Sequence, residues 1–346
     1  MLGGPEAVTV LLPVFFREVG PEQIRLLRRA LASVHAQRFP SGYEILLIDD
    51  GSAEPLETLG PALGAEARAL RFLRLPHNAG IAHALNRGLA EARSPLIARL
   101  DHDDWWLETK IEKQLASFRS DPAVTIGGTG MTLVTPAGEA LSTHIRPGSW
   151  QWALDFLKSG GSPLPHGSVL ARRDVFRLLG GYPVDPACEY CEDYALWADW
   201  LRFFKPGMIE EDLFRYTVSP SSVSVAHRER QIQASIMIRD QLQDLPAARI
   251  PDAMQEFASA VGCSLVEDGI LAFKMWRYGL AAWLPRSATG PLELILFDRR
   301  VASGSRSDAL EPALVVANPA LRTARRAIAL HAVQASGSAK PPGAAH

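Results

Sequence analysis

The chain has 346 residues, 47% hydrophobic and 21% charged, a composition that fits one large globular domain or a domain plus an appendage and excludes wholesale disorder. Lys and Arg number 36 against 38 for Asp and Glu, so no basic field points to a nucleic-acid partner. Three cysteines fit a reducing compartment; Cys188 and Cys191 form a C-x-x-C, but no second pair at zinc spacing follows, and it reads as a loop coincidence. The opening "MLGGPEAVTVLLPVFF" has no basic segment before its short apolar run, which argues against a signal peptide, and no window reaches the ~18 to 20 apolar residues of a membrane helix.

From Val8, "VTVLLPV" is β-branched and leucine-rich with little alternation, the pattern of a strand covered on both faces. Ile24, Leu27, Leu31 and Val34 then share one face of a helix that Pro21 opens. "YEILLIDDGS" and "ALRFLRL" predict two more buried strands, Ile81, Leu85 and Leu89 a helix, and "PLIARLDHDD" a fourth strand with acids at its carboxyl end. The order β-α-β-(α)-β-α-β predicts an α/β fold with a mostly parallel sheet and helices on both faces.

Ligands of open α/β sheets bind beyond the carboxyl ends of the strands. Asp49 and Asp50 fall there, and so do Asp101, Asp103 and Asp104. Like charges this close repel, and a bound cation relieves that repulsion, so the acids point to a metal-dependent site. Taken singly, each has a plain alternative: a turn for Asp49-Asp50, a solvated loop for Asp101 to Asp104, and complementation of the helix dipole for Glu192-Asp193. His166 and His227 read as structural or surface residues.

After the acids, Ile111, Leu115 and Phe118 predict a helix, and "AVTIGGTGMTLVTPAGEAL" a strand, a turn and a return. Residues 150–165 read as a Gly and Pro-rich loop long enough to form an active-site flap. "HGSVLARRDVFRLLGGY" predicts a short strand and a helix, and "CEDYALWADWLRFF" another helix. Residues 229–334 read as a helical C-terminal region interrupted by prolines, and 335–346 as a disordered tail.

"VTVLLPVFF", "EILLIDDGS", "NAGIAHALNRGLAEA", "ARLDHDDWW" and "CEDYALWADWL" together resemble the family 2 glycosyltransferases of GT-A fold, in their order and approximate spacing. The resemblance covers about residues 7–228. It implies a Rossmann-like GT-A domain over 1–228 that moves one sugar from a nucleotide-diphosphate sugar to an acceptor hydroxyl with inversion. By that resemblance Pro13 and Phe15 line the nucleotide pocket, Phe15 stacking on the base. Asp50 holds the base, Asn78, Gly80 and Asn86 shape the pocket near the diphosphate, and Asp101 and Asp103 belong to the D-x-D element. Asp103 and Asp104 hold Mg²⁺ or Mn²⁺, with His102 a spacer turned away, and Asp193 is the general base, with Glu192 raising its pKa.

The resemblance further implies a UDP-sugar as the favoured donor and a glycan, lipid-linked or protein acceptor in cell-surface polysaccharide or glycan synthesis. The expected location is the cytoplasm, with peripheral attachment at the inner face of the membrane and self-association through the C-terminal region left open. The Q-x-x-R-W segment and membrane helices of polymerising members are missing, which implies non-processive transfer. Thr217 and Ser219 stand where Arg and His are frequent, which leaves later metal ligands open, His227 being a conceivable substitute. A nucleotidyltransferase on a related sheet and a catalytically weak nucleotide-sugar-binding module are the competing readings.

Overall fold

A computed structural model describes residues 6–121, 124–179, 181–201, 204–219 and 226–240. Strand β1 (Val8–Val14) lies between β2 (Tyr43–Asp49) and β4 (Leu96–Arg99), and β3 (Leu70–Arg74) adds to β2, all parallel. The sheet continues through β8 (Leu170–Arg172), β6 (Val124–Val134), β9 (Lys205–Thr217) and β5 (Trp105–Trp106), with β7 (Ala140–His144) also on β6. The expected α/β class is found. Parallel pairing holds through the first four strands, whereas the second half is mixed: β8 runs antiparallel to β4 and β6, and β6 and β9 run parallel.

Alternation along the strands assigns the two faces. Val8, Val10, Leu12 and Val14 enter one core with Leu27, Leu31 and Val34 of helix α1 (Pro21–His35) and with Ile111, Leu115 and Phe118 of α4 (Lys110–Ser120). On the opposite face lies α3 (Ile81–Glu91), which follows the short α2 (Gly60–Leu63). A Cβ at Gly88 would stand 2.4 Å from Ile48 Cδ1 and 3.1 Å from Leu11 Cδ2, so only glycine lets α3 approach the sheet this closely.

One expectation changes. Residues 150–165 are not one loop. Trp150–Lys158 form helix α5, whose N-cap Ser149 Oγ accepts from Trp152 N at 3.2 Å and which buries Ala153, Leu154 and Leu157. Only the Gly and Pro-rich part after it is loop. Trp105 and Trp106, just after the acids, form strand β5 against β9, Trp106 buried and donating from Nε1 to Gly167 O at 2.7 Å.

Helices α6 (Arg173–Leu179) and α7 (Glu192–Leu201) follow β8, and α8 (Arg228–Asp240) rests on α7, burying Ala234 and Ile238. The rest of the region expected to be helical from residue 229 and the tail at 335–346 lie outside the described residues. Among those described, no helix is long and apolar enough to cross a membrane.

Candidate active site

Because β1, β2 and β4 are parallel, their carboxyl ends share one edge of the sheet. Pro13 is buried within β1, opposite Ile48, and two residues on Phe15 emerges with 36% of its surface exposed. At the end of β2 the paired acids separate in role. Asp49 is consumed by the fold: Oδ1 accepts from Ser52 N at 2.8 Å, Oδ2 from Leu56 N at 3.1 Å, and Arg74 Nη1 closes an ion pair on Oδ2. Asp50 instead faces the turn before α3, where Oδ1 accepts from Ala79 N at 2.9 Å and Oδ2 from Gly80 N at 3.0 Å. Burial pushes the Asp50 carboxyl up, and these two N–H donors oppose the shift. Asn78 Oδ1 accepts from the same Gly80 N at 3.1 Å.

At the end of β4 each acid again has a different environment. Arg99, fully buried, forks onto Asp101, with Nη2 2.5 Å from Oδ1 and Nη1 on Oδ2. Burial works against the guanidinium charge, but Asp101, Tyr182 and Asp104 outweigh it and raise its pKa. Asp104 turns inward and is 1% exposed; Oδ1 accepts from Thr217 N at 2.7 Å, and Oδ2 has no partner. Burial, then the charges of Asp103 and Asp101, push its carboxyl well above the usual range. Asp103 stays partly exposed, its Oδ1 4.0 Å from His102 Nδ1, and its carboxyl too is pushed up by burial. The His102 ring packs edge-on against Phe16 at 5.0 Å.

The backbone carbonyl of Asp103 takes two donors, Arg29 Nη2 at 2.8 Å and Thr217 Oγ1 at 2.5 Å. Arg29 lies 3.8 Å from the Trp105 ring centroid and also donates from Nη1 to Pro136 O at 3.1 Å.

The other wall comes from the start of α7. Asp193 Oδ1 accepts from Tyr194 N at 2.8 Å. Burial pushes its carboxyl up, while that N–H and the Arg99 charge oppose the shift. Neighbouring Glu192 is pushed up to about 7 by burial and by the Asp193 charge. Behind them Tyr182 Oη lies 2.8 Å from His166 Nε2, and burial drives the His166 pKa well down, keeping the ring neutral. Asn86 faces this wall, its carboxamide paired with the Tyr182 backbone rather than open to a ligand. Arg99 therefore acts on Asp101 and Asp104 from β4 and on Glu192 and Asp193 from α7, joining acids that are far apart in sequence.

Residues 9–178 match glycosyl transferase family 2. That segment, just under half of the chain, is a family 2 glycosyltransferase domain. Its relatives include EpsE of Bacillus subtilis (strain 168), named as a glycosyltransferase, 27% identical over 62% of this chain and 74% of that protein. The amylovoran biosynthesis glycosyltransferase AmsE of Erwinia amylovora is 29% identical over 55% of this chain and 67% of that protein. Two solved glycosyltransferase folds are similar. The mannosyltransferase PcManGT from Pyrobaculum calidifontis, in complex with GDP-Man and Mn²⁺, aligns over 96% of this chain and 88% of that one, with 17% identity and a TM-score of 0.50. S. aureus TarS 1-349, in complex with UDP-GlcNAc, aligns over 96% and 92%, with 13% identity and a TM-score of 0.51. These likenesses show that the family 2 domain has the GT-A fold.

Sequence reasoning missed Arg99 and Arg29. The signal for Arg99 was present, a lone cation in an apolar strand two residues before an acid; nothing local marks Arg29, whose partners lie more than seventy residues away. His227, considered as a late metal ligand, stacks its ring on Tyr190 at 3.9 Å and 4°. Among the described residues no group of three or more His, Cys, Asp or Glu is arranged to hold a metal.

Proposed function

We propose that this glycosyltransferase moves one sugar from a nucleotide-diphosphate sugar to an acceptor hydroxyl with inversion, in polysaccharide or cell-surface glycan synthesis. One observation carries the reading: the parallel strands β1, β2 and β4 bring Phe15, Asp50, Asp101 and Asp103 to one edge of the sheet. A donor seated at that edge would meet the acids at the ends of β2 and β4. The relatives named for a sugar polymer and for nucleotide-sugar complexes support the same class of substrate, with UDP-sugars favoured.

Phe15, exposed at the end of β1, offers a ring to the base, and Asp50 an acceptor to the base N–H. Asn78 and Gly80 shape the turn beside the diphosphate. Asp101 is held in its turn by Arg99, beside Asp103.

Hard carboxylate oxygens suit Mg²⁺ or Mn²⁺, and Mg²⁺ in particular is held by one or two protein carboxylates plus substrate phosphates. Asp103 fits that role, since its carboxyl is partly exposed and its backbone is anchored. Asp104 fits it poorly, with one oxygen on Thr217 N and the other buried, so the ligand role expected of both acids falls to Asp103. Bound there, the cation would stabilise the negative charge that grows on the departing diphosphate.

Asp193 takes the proton from the acceptor hydroxyl as the oxygen attacks. Burial raises its pKa and so strengthens it as a base, while the Tyr194 N–H and the Arg99 charge oppose that shift. A single in-line displacement inverts the anomeric carbon.

The test is a panel of UDP-, GDP- and dTDP-sugars incubated with the full chain and Mn²⁺, with and without EDTA. Donor cleavage that EDTA abolishes and Mn²⁺ or Mg²⁺ restores is the expected result. Binding without turnover across the panel would favour a nucleotide-sugar-binding module.

A further inference from the structure

We propose that Thr217 and Arg29 are positioning residues that aim the Asp103 carboxylate at the metal-diphosphate by gripping the Asp103 backbone carbonyl from two sides. The inference rests on the donor reading above, and it goes further by assigning a function to a residue that departs from the family pattern.

Three elements meet at this carbonyl. Thr217 ends β9, and its hydroxyl donates to Asp103 O at 2.5 Å while its backbone N–H donates to Asp104 Oδ1 at 2.7 Å. Both acids of the turn are thus tied to one residue of one strand. From α1, Arg29 donates to the same carbonyl at 2.8 Å and to the Thr217 hydroxyl oxygen at 3.2 Å. The guanidinium is itself held, stacked at 3.8 Å on Trp105 and donating to Pro136 O.

The direction of a carboxylate follows from its backbone. A turn free to rotate by ~1 Å would move a ligand oxygen out of the narrow distance range that a hard cation accepts. Here two donors fix the peptide, while the carboxylate has only the loose approach of His102 Nδ1 at 4.0 Å from Oδ1. Supporting groups of this type commonly change metal affinity by about 10 to 100-fold when removed. The Thr217 hydroxyl thereby serves the metal from behind the acid and not as a ligand, which removes the need for a charged side chain at that position.

Thr217→Val tests this cleanly, because valine keeps the shape and the backbone N–H to Asp104 and removes only the hydroxyl. Thr217→Ser restores the hydroxyl. Titration calorimetry of the full chain with UDP and with GDP, each with and without Mn²⁺, reads the effect apart from catalysis. The expected result is an approximately tenfold weaker Mn²⁺-dependent nucleotide affinity in Thr217→Val, an unchanged metal-free affinity, and near wild-type values in Thr217→Ser. Equal affinity in Thr217→Val and wild type, or an equal loss with and without metal, overturns the proposal. Arg29→Lys, which keeps the charge but loses the fork, should weaken only the Mn²⁺-dependent affinity; an unchanged value there contradicts the part given to Arg29. If the wild type gains no affinity from Mn²⁺ with either nucleotide, the donor reading itself fails and this inference falls with it.

Discussion

The carboxamide of Asn86 and the backbone of Tyr182 hold each other reciprocally: Nδ2 donates to Tyr182 O and Oδ1 accepts from Tyr182 N, both at 2.8 Å. Ninety-six residues apart, they tie α3 to the loop that carries the Tyr182 ring behind the acids. Gly181 before it has φ 73°, and a Cβ there would lie 2.2 Å from Asn86 Oδ1, so the clamp also needs a glycine.

Asn86→Ala should therefore act on stability first. Two buried backbone groups would lose their partners, at roughly 1 to 3 kcal/mol each. Chemical denaturation should show a loss of ~2 to 6 kcal/mol, and nucleotide affinity of the folded fraction should stay within about threefold. Unchanged stability with lost nucleotide affinity would return Asn86 to the pocket that the family resemblance assigned it.

Asp104→Ala separates the two acids expected at the metal. With Asp104 Oδ1 gone, the buried Thr217 N–H loses its acceptor, and stability should fall by ~1 to 3 kcal/mol. Asp103→Ala should leave the melting temperature almost unchanged, since its side chain carries little of the fold, and should abolish the gain in nucleotide affinity from Mn²⁺. The opposite pattern, a stable Asp104→Ala that has lost its metal response, would make Asp104 the ligand.

Much of this fold was legible because buried parallel strands and one-faced helices leave periodic signals. "VTVLLPV" and "YEILLID" fall on β1 and β2, and Ile81, Leu85 and Leu89 on α3. Helix α5 was hidden because Gly160, Gly161 and Pro163 dominate the composition just after it. Strand β9 was invisible for a different reason: "KPGMIEEDLFRYT" alternates poorly, and its place is set by pairing with β6, a tertiary relationship. The same limit applied to the acids. Spacing marked Asp49, Asp50, Asp101, Asp103 and Asp104 as a group, yet only the fold shows that Asp49, Asp50 and Asp104 accept from backbone N–H groups while the Asp103 carboxylate stays partly exposed.

Glu192 should give the chain a pH signature. In the folded protein its carboxyl keeps a proton up to about 7, whereas an ordinary glutamate loses it near 4.5. The folded state binds more protons between these values, so this group's contribution to stability falls as pH rises through that window. Glu192→Gln removes the penalty. Thermal melts should show the variant more stable than wild type at pH 8, by up to ~3 kcal/mol, with the difference vanishing near pH 4. A difference that stays constant from pH 4 to 8 would show that Glu192 ionises normally.

Asp193→Asn addresses the central claim most directly, with sugar transfer and donor binding measured on the same preparation. The substitution keeps size and polarity and removes the proton acceptor. The expected result is donor affinity close to wild type and a transfer rate lower by about 10² to 10⁴-fold, the range for loss of a general base. The alternative is an acid that only complements the first turn of α7, worth ~0.3 to 1 kcal/mol to the helix. A normal transfer rate with a lowered melting temperature would establish that alternative and contradict the assignment of Asp193 as the base.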